Sequence, residues 1–116
     1  MTPEAFHAAA LVLPGATYDI KWGEDRVYSV GGKMFATAGS TNDPAPCFAF
    51  KCSELGFEML IEQGFADPSP YLARAKWVKL KSPDALSDEA LVDYLKEAHR
   101  IVASGLTKKV RTELGL

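Results

Sequence analysis

Two groups of basic residues, each close to aromatic side chains, are the part of this sequence best suited to binding chemistry. One group accompanies a stretch of alternating aromatic and polar residues, and the other lies between Pro68 and Pro83, where no acidic residue occurs. Lysine and arginine neutralise phosphates and release counterions, while exposed aromatic rings stack on bases. The sequence therefore predicts a nucleic-acid-binding surface formed by Lys21, Arg26, Lys33, Tyr71, Arg74, Lys76, Trp77 and Lys79.

The same residues also fit a simpler interpretation, in which they fill and cover an ordinary sheet. Strand positions favour burial of Trp22 and Trp77, and lysines commonly solvate a sheet face. The formal net charge is −2, so the molecule as a whole has no attraction toward a polyanion. Acidic residues gather in the predicted helices, and we therefore expect one basic and one acidic side. Both interpretations are compatible with the sequence.

The sequence contains no arrangement typical of an enzyme or a metal protein. His7 and His99 lie on different predicted helices, with no serine or cysteine nucleophile beside either. Gly31-Gly32 lacks the following helix of a phosphate-binding loop. Cys47, Cys52 and the two distant histidines do not match the spacing of zinc ligands. We expect a protein that is not an enzyme and that uses no metal or cofactor.

Length and composition indicate one globular domain covering residues 1–116. Apolar residues make up 47% and charged residues 24%, and no run of about 18 apolar residues predicts a membrane span. Glu4 is the only ionised side chain near the N-terminus, unlike the basic start of a signal peptide. Cys47 and Cys52 would point to opposite faces of a strand, which argues against a disulfide. We expect a cytoplasmic protein without membrane contact.

Caps, turns and apolar periodicity predict three helices and about five strands. Thr2, Ser53 and Ser87 are suited to cap helices, and Gly31-Gly32 predicts a tight hairpin. The predicted elements are a helix from Thr2 to Pro14, strands at Thr17–Trp22, Arg26–Val30, Lys33–Ala38 and Pro46–Lys51, a helix from Ser53 to about Gln63, a loop at residues 65–76, a strand at Trp77–Leu80, a helix from Ser87 to Gly105 and a basic tail. The order α-β-β-β-β-α-β-α predicts an α+β fold, a two-layer sandwich with an antiparallel sheet.

A layer of helices on one side leaves the other face of the predicted sheet to be covered. Tyr28, Phe35, Phe48 and Phe50 are more aromatic residues than one core is expected to hold. An open apolar sheet face usually marks an interface. The alternative prediction is therefore a non-enzymatic protein- or small-ligand-binding module that acts through an exposed sheet face, for example as a homodimer.

Several motifs give the chain a resemblance to the MmcQ/YjbR family of small bacterial proteins. They are PGAT at residues 14–17, KWG at 21–23, VGGKMFA at 30–36, Pro70-Tyr71, Trp77-Val78 and the final helix with its basic tail. The resemblance implies a compact α+β fold compared with the CyaY-like and type III secretion-chaperone-like folds. It also implies DNA binding through a double-wing motif. One departure is that Ala73 and Ala75 alternate with Arg74 and Lys76, where the family loop often carries several polar and basic residues.

Overall fold

The computed structural model describes residues 1–21, 24–39, 47–70 and 72–116. The helices are α1 (Pro3–Leu11), α2 (Glu54–Glu62), α3 (Asp88–Ser104) and α4 (Lys108–Glu113), and the strands are β1 (Ala16–Lys21), β2 (Asp25–Val30), β3 (Lys33–Ala38), β4 (Phe48–Lys51), β5 (Ala66–Pro68) and β6 (Trp77–Leu80). Neighbouring strands pair antiparallel in the order β1-β2-β3-β4-β6-β5. The predicted α+β fold with an antiparallel sheet is confirmed.

The described residues form one strand and one helix more than the sequence predicted. The extra strand, β5, lies in the segment that was predicted to be a loop, and it pairs with β6 at one end of the sheet. Proline is tolerated in such an outer position, so Pro68 excludes a central strand but not this one. The extra helix, α4, forms in the predicted basic tail. The hydroxyl of Thr107 caps it by accepting a hydrogen bond from the Val110 N–H at 3.2 Å.

The local signals at the helix starts act as the sequence predicted. The hydroxyls of Thr2, Ser53 and Ser87 each accept a hydrogen bond from the backbone N–H three residues later. Each hydroxyl thereby satisfies one of the amide donors that a helix start leaves without an intrahelical partner. These caps fix where α1, α2 and α3 begin.

The core lies between the helices and one face of the sheet. It contains Tyr28, Phe35, Phe48 and Phe50, each fully buried, so these four rings do not form an exposed sheet face. From α1, Phe6 stacks on Phe48 with 4.3 Å between the ring centroids. The expectation that these aromatics exceed one core is therefore wrong, because residues from three helices surround them.

Helix α2 buries only part of its apolar surface. Leu60 is buried, whereas Leu55 is 66% and Met59 is 42% exposed. Because the apolar residues of α2 surround most of the helix, their spacing could not fix the buried side.

The predicted hairpin at Gly31-Gly32 is confirmed, and residues from the C-terminal part of the chain pack against its turn. Both glycines have positive φ, at 60° and 80°. A Cβ built on Gly31 would lie 2.6 Å from Cδ1 of Leu106 and 3.2 Å from Cγ1 of Val110. The segment that leads into α4 therefore rests directly on this turn.

Candidate nucleic-acid interface

The strand register separates the basic residues that the sequence assigned to the first hairpin. Lys33 pairs with Val30 beside the Gly31-Gly32 turn, whereas Lys21 pairs with Asp25 at the other end of the hairpin. Arg26 pairs with Ile20 and Ala38, also at that other end. Five residue steps along a strand correspond to about 17 Å. Lys33 therefore does not share a local patch with Lys21 and Arg26.

Two of the predicted basic residues from the second segment lie at the same end of the sheet as Lys33. Trp77 pairs with Lys51, so the residues just before β6 lie toward the Gly31-Gly32 end. Lys51 donates a hydrogen bond from Nζ to the backbone oxygen of Ala75 at 2.5 Å. This contact fixes the short 3₁₀ turn that contains Arg74 beside the end of β4.

Lys76 follows this turn in a left-handed conformation, with φ of 62°. Its Nζ lies 5.0 Å from the centre of the Phe57 ring, a cation–π contact that holds the lysine side chain against α2. The ammonium group thus has a defined position rather than a freely moving one.

Helix α4 adds basic residues that the sequence analysis left out of the candidate site. Leu106 and Val110 pack on Gly31, and Leu114 lies beside Gly15, so α4 crosses the same end of the sheet. We call this region the basic end; its cations are Lys33, Lys51, Arg74, Lys76, Lys108, Lys109 and Arg111. The four-residue spacing of Leu106 and Val110 was the available signal that the basic tail continues as a packed helix.

The remaining predicted site residues lie elsewhere or cannot be placed. Lys79 is exposed and alternates with the buried Val78 and Leu80, so it projects from the sheet face opposite the core. Trp77 is only 3% exposed, so its ring is not available for stacking on a base. Tyr71 falls outside the described residues, as does Trp22.

A group of acidic side chains lies at the start of α3, at the opposite end from the basic end. Helix α3 begins near Asp84 and ends near Leu106, and its 17 residues span about 25 Å. Its first turns carry Asp88, Glu89 and Asp93, and the N-terminal amine lies 3.0 Å from Asp84 and 3.4 Å from Asp88. The separation of charge is partial, because Glu54 at the start of α2 and Glu113 in α4 lie beside the cations of the basic end.

Two comparisons with known proteins bear on this arrangement. A sequence model of the YjbR family matches residues 11–101 of the chain. The chain belongs to the YjbR family. The crystal structure of Deinococcus radiodurans protein DR2400, a DUF419 domain, is similar over 99% of this chain and 88% of that one, with a TM-score of 0.85 and 25% sequence identity. No curated protein matches the sequence.

The family match confirms the resemblance that the sequence motifs indicated. The matched residues include Lys33, Arg74 and Lys76 but end before α4. In this YjbR-family chain the basic end is therefore built partly from residues beyond the matched range.

Three features of this YjbR-family chain bear on metal binding, membrane contact and thiol reactivity. Within residues 1–21, 24–39, 47–70 and 72–116, no three metal-ligating side chains lie close enough together to hold an ion. No helix in those ranges is long and apolar enough to cross a bilayer. Both cysteines are free thiols. Burial raises the pKa of the Cys52 thiol to about 12, which keeps it protonated and unreactive near neutral pH.

One polar cluster joins α1 to the sheet and includes a residue of the predicted site. The hydroxyl of the buried Tyr28 lies 2.9 Å from Nδ1 of His7. The Tyr18 ring packs edge-on against His7, with 4.7 Å between the centroids. Burial and, secondarily, the charge of Arg26 lower the pKa of His7. Arg26 is thus engaged within the fold, at a distance from the basic end.

Proposed function

We propose that this YjbR-family protein binds duplex DNA through its basic end and acts in the cytoplasm by binding rather than by catalysis. The observation that carries the proposal is the register of the sheet. It brings Lys33 and the turn that holds Arg74 and Lys76 to the end that α4 covers with Lys108 and Lys109. The free state of both cysteines supports the cytoplasmic location.

Four of the cations of the basic end are available for phosphates. Lys33, Arg74, Lys108 and Lys109 are exposed. Within the described ranges, none of the basic-end cations takes part in an ion pair, whereas Lys81 and Arg100, outside this region, pair with Asp67 and Glu97. Each phosphate that a cation neutralises releases counterions from the DNA, which supports binding at low salt and weakens it as salt rises.

The uneven distribution of charge compensates for the net charge of −2. A phosphate backbone is attracted to the basic end and repelled by the acidic start of α3, so the field orients the protein on DNA. Binding of this kind contacts phosphates and does not read bases. Because Trp77 is buried, we expect weak dependence on base sequence and a Kd on the order of 10⁻⁶ to 10⁻⁴ M at physiological salt.

The test is fluorescence anisotropy with labelled duplex DNA over a series of salt concentrations from about 50 mM upward. We expect Lys108→Gln/Lys109→Gln to reduce the slope of log K against log salt by about 1 to 2. Arg74→Gln/Lys76→Gln should act in the same direction. Glutamine is used because it removes the charge and keeps a long polar side chain.

The matched control is Lys79→Gln/Lys81→Gln, which removes the same charge away from the basic end. If this control weakens binding as much as the α4 variant, only net charge matters and the assigned surface is wrong. If the unmodified protein shows no binding at about 50 mM salt, the proposed function fails.

A second candidate function, a protein-binding module, is favoured by the exposed first strand. Tyr18 is 49% and Ile20 is 56% exposed on β1, which lies at the outer end of the sheet. The exposed apolar residues that favour a protein interface thus lie at an edge of the sheet, whereas the sequence predicted them on its open face.

A further inference from the structure

The outer side of β1 has the groups needed to pair with another strand. Among the described residues β1 pairs with β2 alone, along six consecutive positions from Ala16 to Lys21. Such an edge presents backbone donors and acceptors that can pair with a further strand. The exposed side chains of Tyr18 and Ile20 add apolar surface beside them.

The hairpin geometry shows which backbone groups of β1 point outward. The two-residue Gly31-Gly32 turn is closed by the Val30 and Lys33 pair, so Val30 bonds toward β3. Alternation along β2 then directs Val27 and Ser29 toward β1, where they face Asp19 and Thr17.

Tyr18 and Ile20 consequently direct their N–H and C=O groups away from β2. One contact agrees with this assignment, because the Ile20 N–H donates to Oδ1 of its neighbour Asp19 at 2.8 Å. The Asp19 carboxylate therefore already accepts a hydrogen bond from the Ile20 N–H, the outward-pointing backbone donor at the centre of this edge.

We propose that a second copy of this chain pairs with β1, antiparallel, about a two-fold axis at Ile20. In this register Ile20 faces Ile20 of the other copy. Asp19 of each copy then lies opposite Lys21 of the other, which gives two opposite-charge pairs. The pairing joins the two sheets into one continuous sheet.

Charge complementarity selects this register over its neighbours. A shift that centres the axis on Asp19 places two carboxylates opposite each other, which is unfavourable. A shift that centres it on Tyr18 places Thr17 opposite Asp19 and leaves Lys21 without a facing carboxylate. In the register centred on Ile20, Tyr18 also lies diagonally from Ile20 of the other copy, within reach of a side-chain contact.

The hydrogen bond between the Ile20 N–H and Asp19 explains why β1 would pair with a second copy of this chain rather than with other strands. A charged side chain on an outer strand discourages pairing with arbitrary strands. In the proposed dimer the Asp19 carboxylate leaves the Ile20 N–H and turns to Lys21 of the other copy. The freed N–H then donates to the Ile20 carbonyl of that copy. The small contact area implies a weak, concentration-dependent dimer.

Analytical ultracentrifugation of the full chain at about 10 to 500 µM tests the proposal, over the range in which a weak dimer assembles. We expect reversible dimerisation of the wild type and about tenfold or greater weakening by Asp19→Lys or by Lys21→Asp. The double variant Asp19→Lys/Lys21→Asp recreates both opposite-charge pairs with the signs exchanged, so it should recover dimerisation. Thr17→Lys adds a positive charge to the same strand without touching these pairs and should leave the dimer intact.

Three outcomes would overturn the proposal. They are a wild type that stays monomeric throughout this range, single variants that dimerise like the wild type, and a double variant that dimerises no better than the single ones. Because the basic-end variants do not alter β1, DNA binding and dimerisation can fail independently.

Disulfide formation tests the register separately, in a Cys47→Ser background that removes the exposed native thiol. Facing residues in a hydrogen-bonded antiparallel pair have Cα atoms about 5.5 Å apart, within the range of a disulfide. Ile20→Cys should therefore form a covalent dimer under mild oxidation, whereas Tyr18→Cys should not. The reverse result would overturn the assigned register.

Discussion

Nδ1 of His7 lies 2.9 Å from the hydroxyl oxygen of Tyr28, and this contact joins the first helix to the second strand through a polar bridge in an otherwise apolar layer. Tyr28 has no exposed surface, so its hydroxyl depends on protein partners for hydrogen bonds. His7 has no catalytic partner beside it in the sequence, and the structure gives it a role in attaching α1 to the sheet.

Removal of this hydroxyl should destabilise the fold. We expect Tyr28→Phe to lower the free energy of unfolding by about 1 to 2 kcal/mol, because His7 loses a hydrogen-bond partner that is itself buried. Urea unfolding followed by circular dichroism measures the change. Tyr18→Phe is the control, since Tyr18 is half-exposed and its loss should stay within about 0.5 kcal/mol. Equal losses in the two variants would contradict the assigned role of the Tyr28 hydroxyl.

The same cluster predicts a dependence of stability on pH. Burial and the Arg26 charge lower the pKa of His7 from its usual 6.5, so below that pH the unfolded chain binds the proton more readily than the folded one. The contribution of neutral His7 to the free energy of unfolding is therefore fully present above pH 6.5. It is lost as the pH falls through 6.5 toward the lower pKa that His7 has in the folded protein. His7→Asn keeps a polar group near Tyr28 but does not titrate.

Urea unfolding of both proteins between about pH 7.5 and pH 5.5 checks this window. The free energy of unfolding should fall less steeply with decreasing pH in His7→Asn than in the wild type. An unchanged slope in the variant would show that other groups cause the acid sensitivity.

Much of the fold was predictable because it depends on local chemistry. Thr2, Ser53 and Ser87 each need only a neighbouring amide to cap a helix, and Gly31-Gly32 needs only positive φ. β5 has only three residues, too few to show alternation, and α4 has six, fewer than two helical turns, so neither was recognised without the surface on which it packs.

The candidate site was harder to predict because it depends on contacts between distant parts of the chain. Lys21 and Lys33 lie close in sequence, yet strand pairing places them at opposite ends of a hairpin. Lys33 and Lys108 are far apart in sequence, yet the contact of Leu106 with Gly31 places them at one end of the sheet. Strand register and helix docking determine which cations share a surface, and neither is visible in a list of basic residues.

The two cysteines should differ sharply in reactivity. Cys47 is exposed, whereas Cys52 is buried and its pKa is raised to about 12 by that burial. We expect a thiol reagent at about pH 8 to modify one thiol per native chain and two after denaturation, because only a thiolate that solvent can reach reacts. Cys47→Ser should abolish the native reaction. Rapid modification of Cys52 in that variant would show that its surroundings open more readily than the structure indicates.

The contact between Gly31 and Leu106 predicts unequal effects of two neighbouring glycine substitutions. Gly31→Ala and Gly32→Ala both place a side chain in the left-handed region, which costs about 1 kcal/mol. A Cβ at Gly32 meets nothing within 4 Å, whereas one at Gly31 would lie 2.6 Å from Leu106. Gly31→Ala should therefore lose an additional 1 to 3 kcal/mol, roughly the penalty for overpacking a core. Thermal and urea unfolding of both variants measure the difference. Equal losses would mean that α4 does not rest on this turn, and the grouping of its lysines with Lys33 would then lose its structural basis.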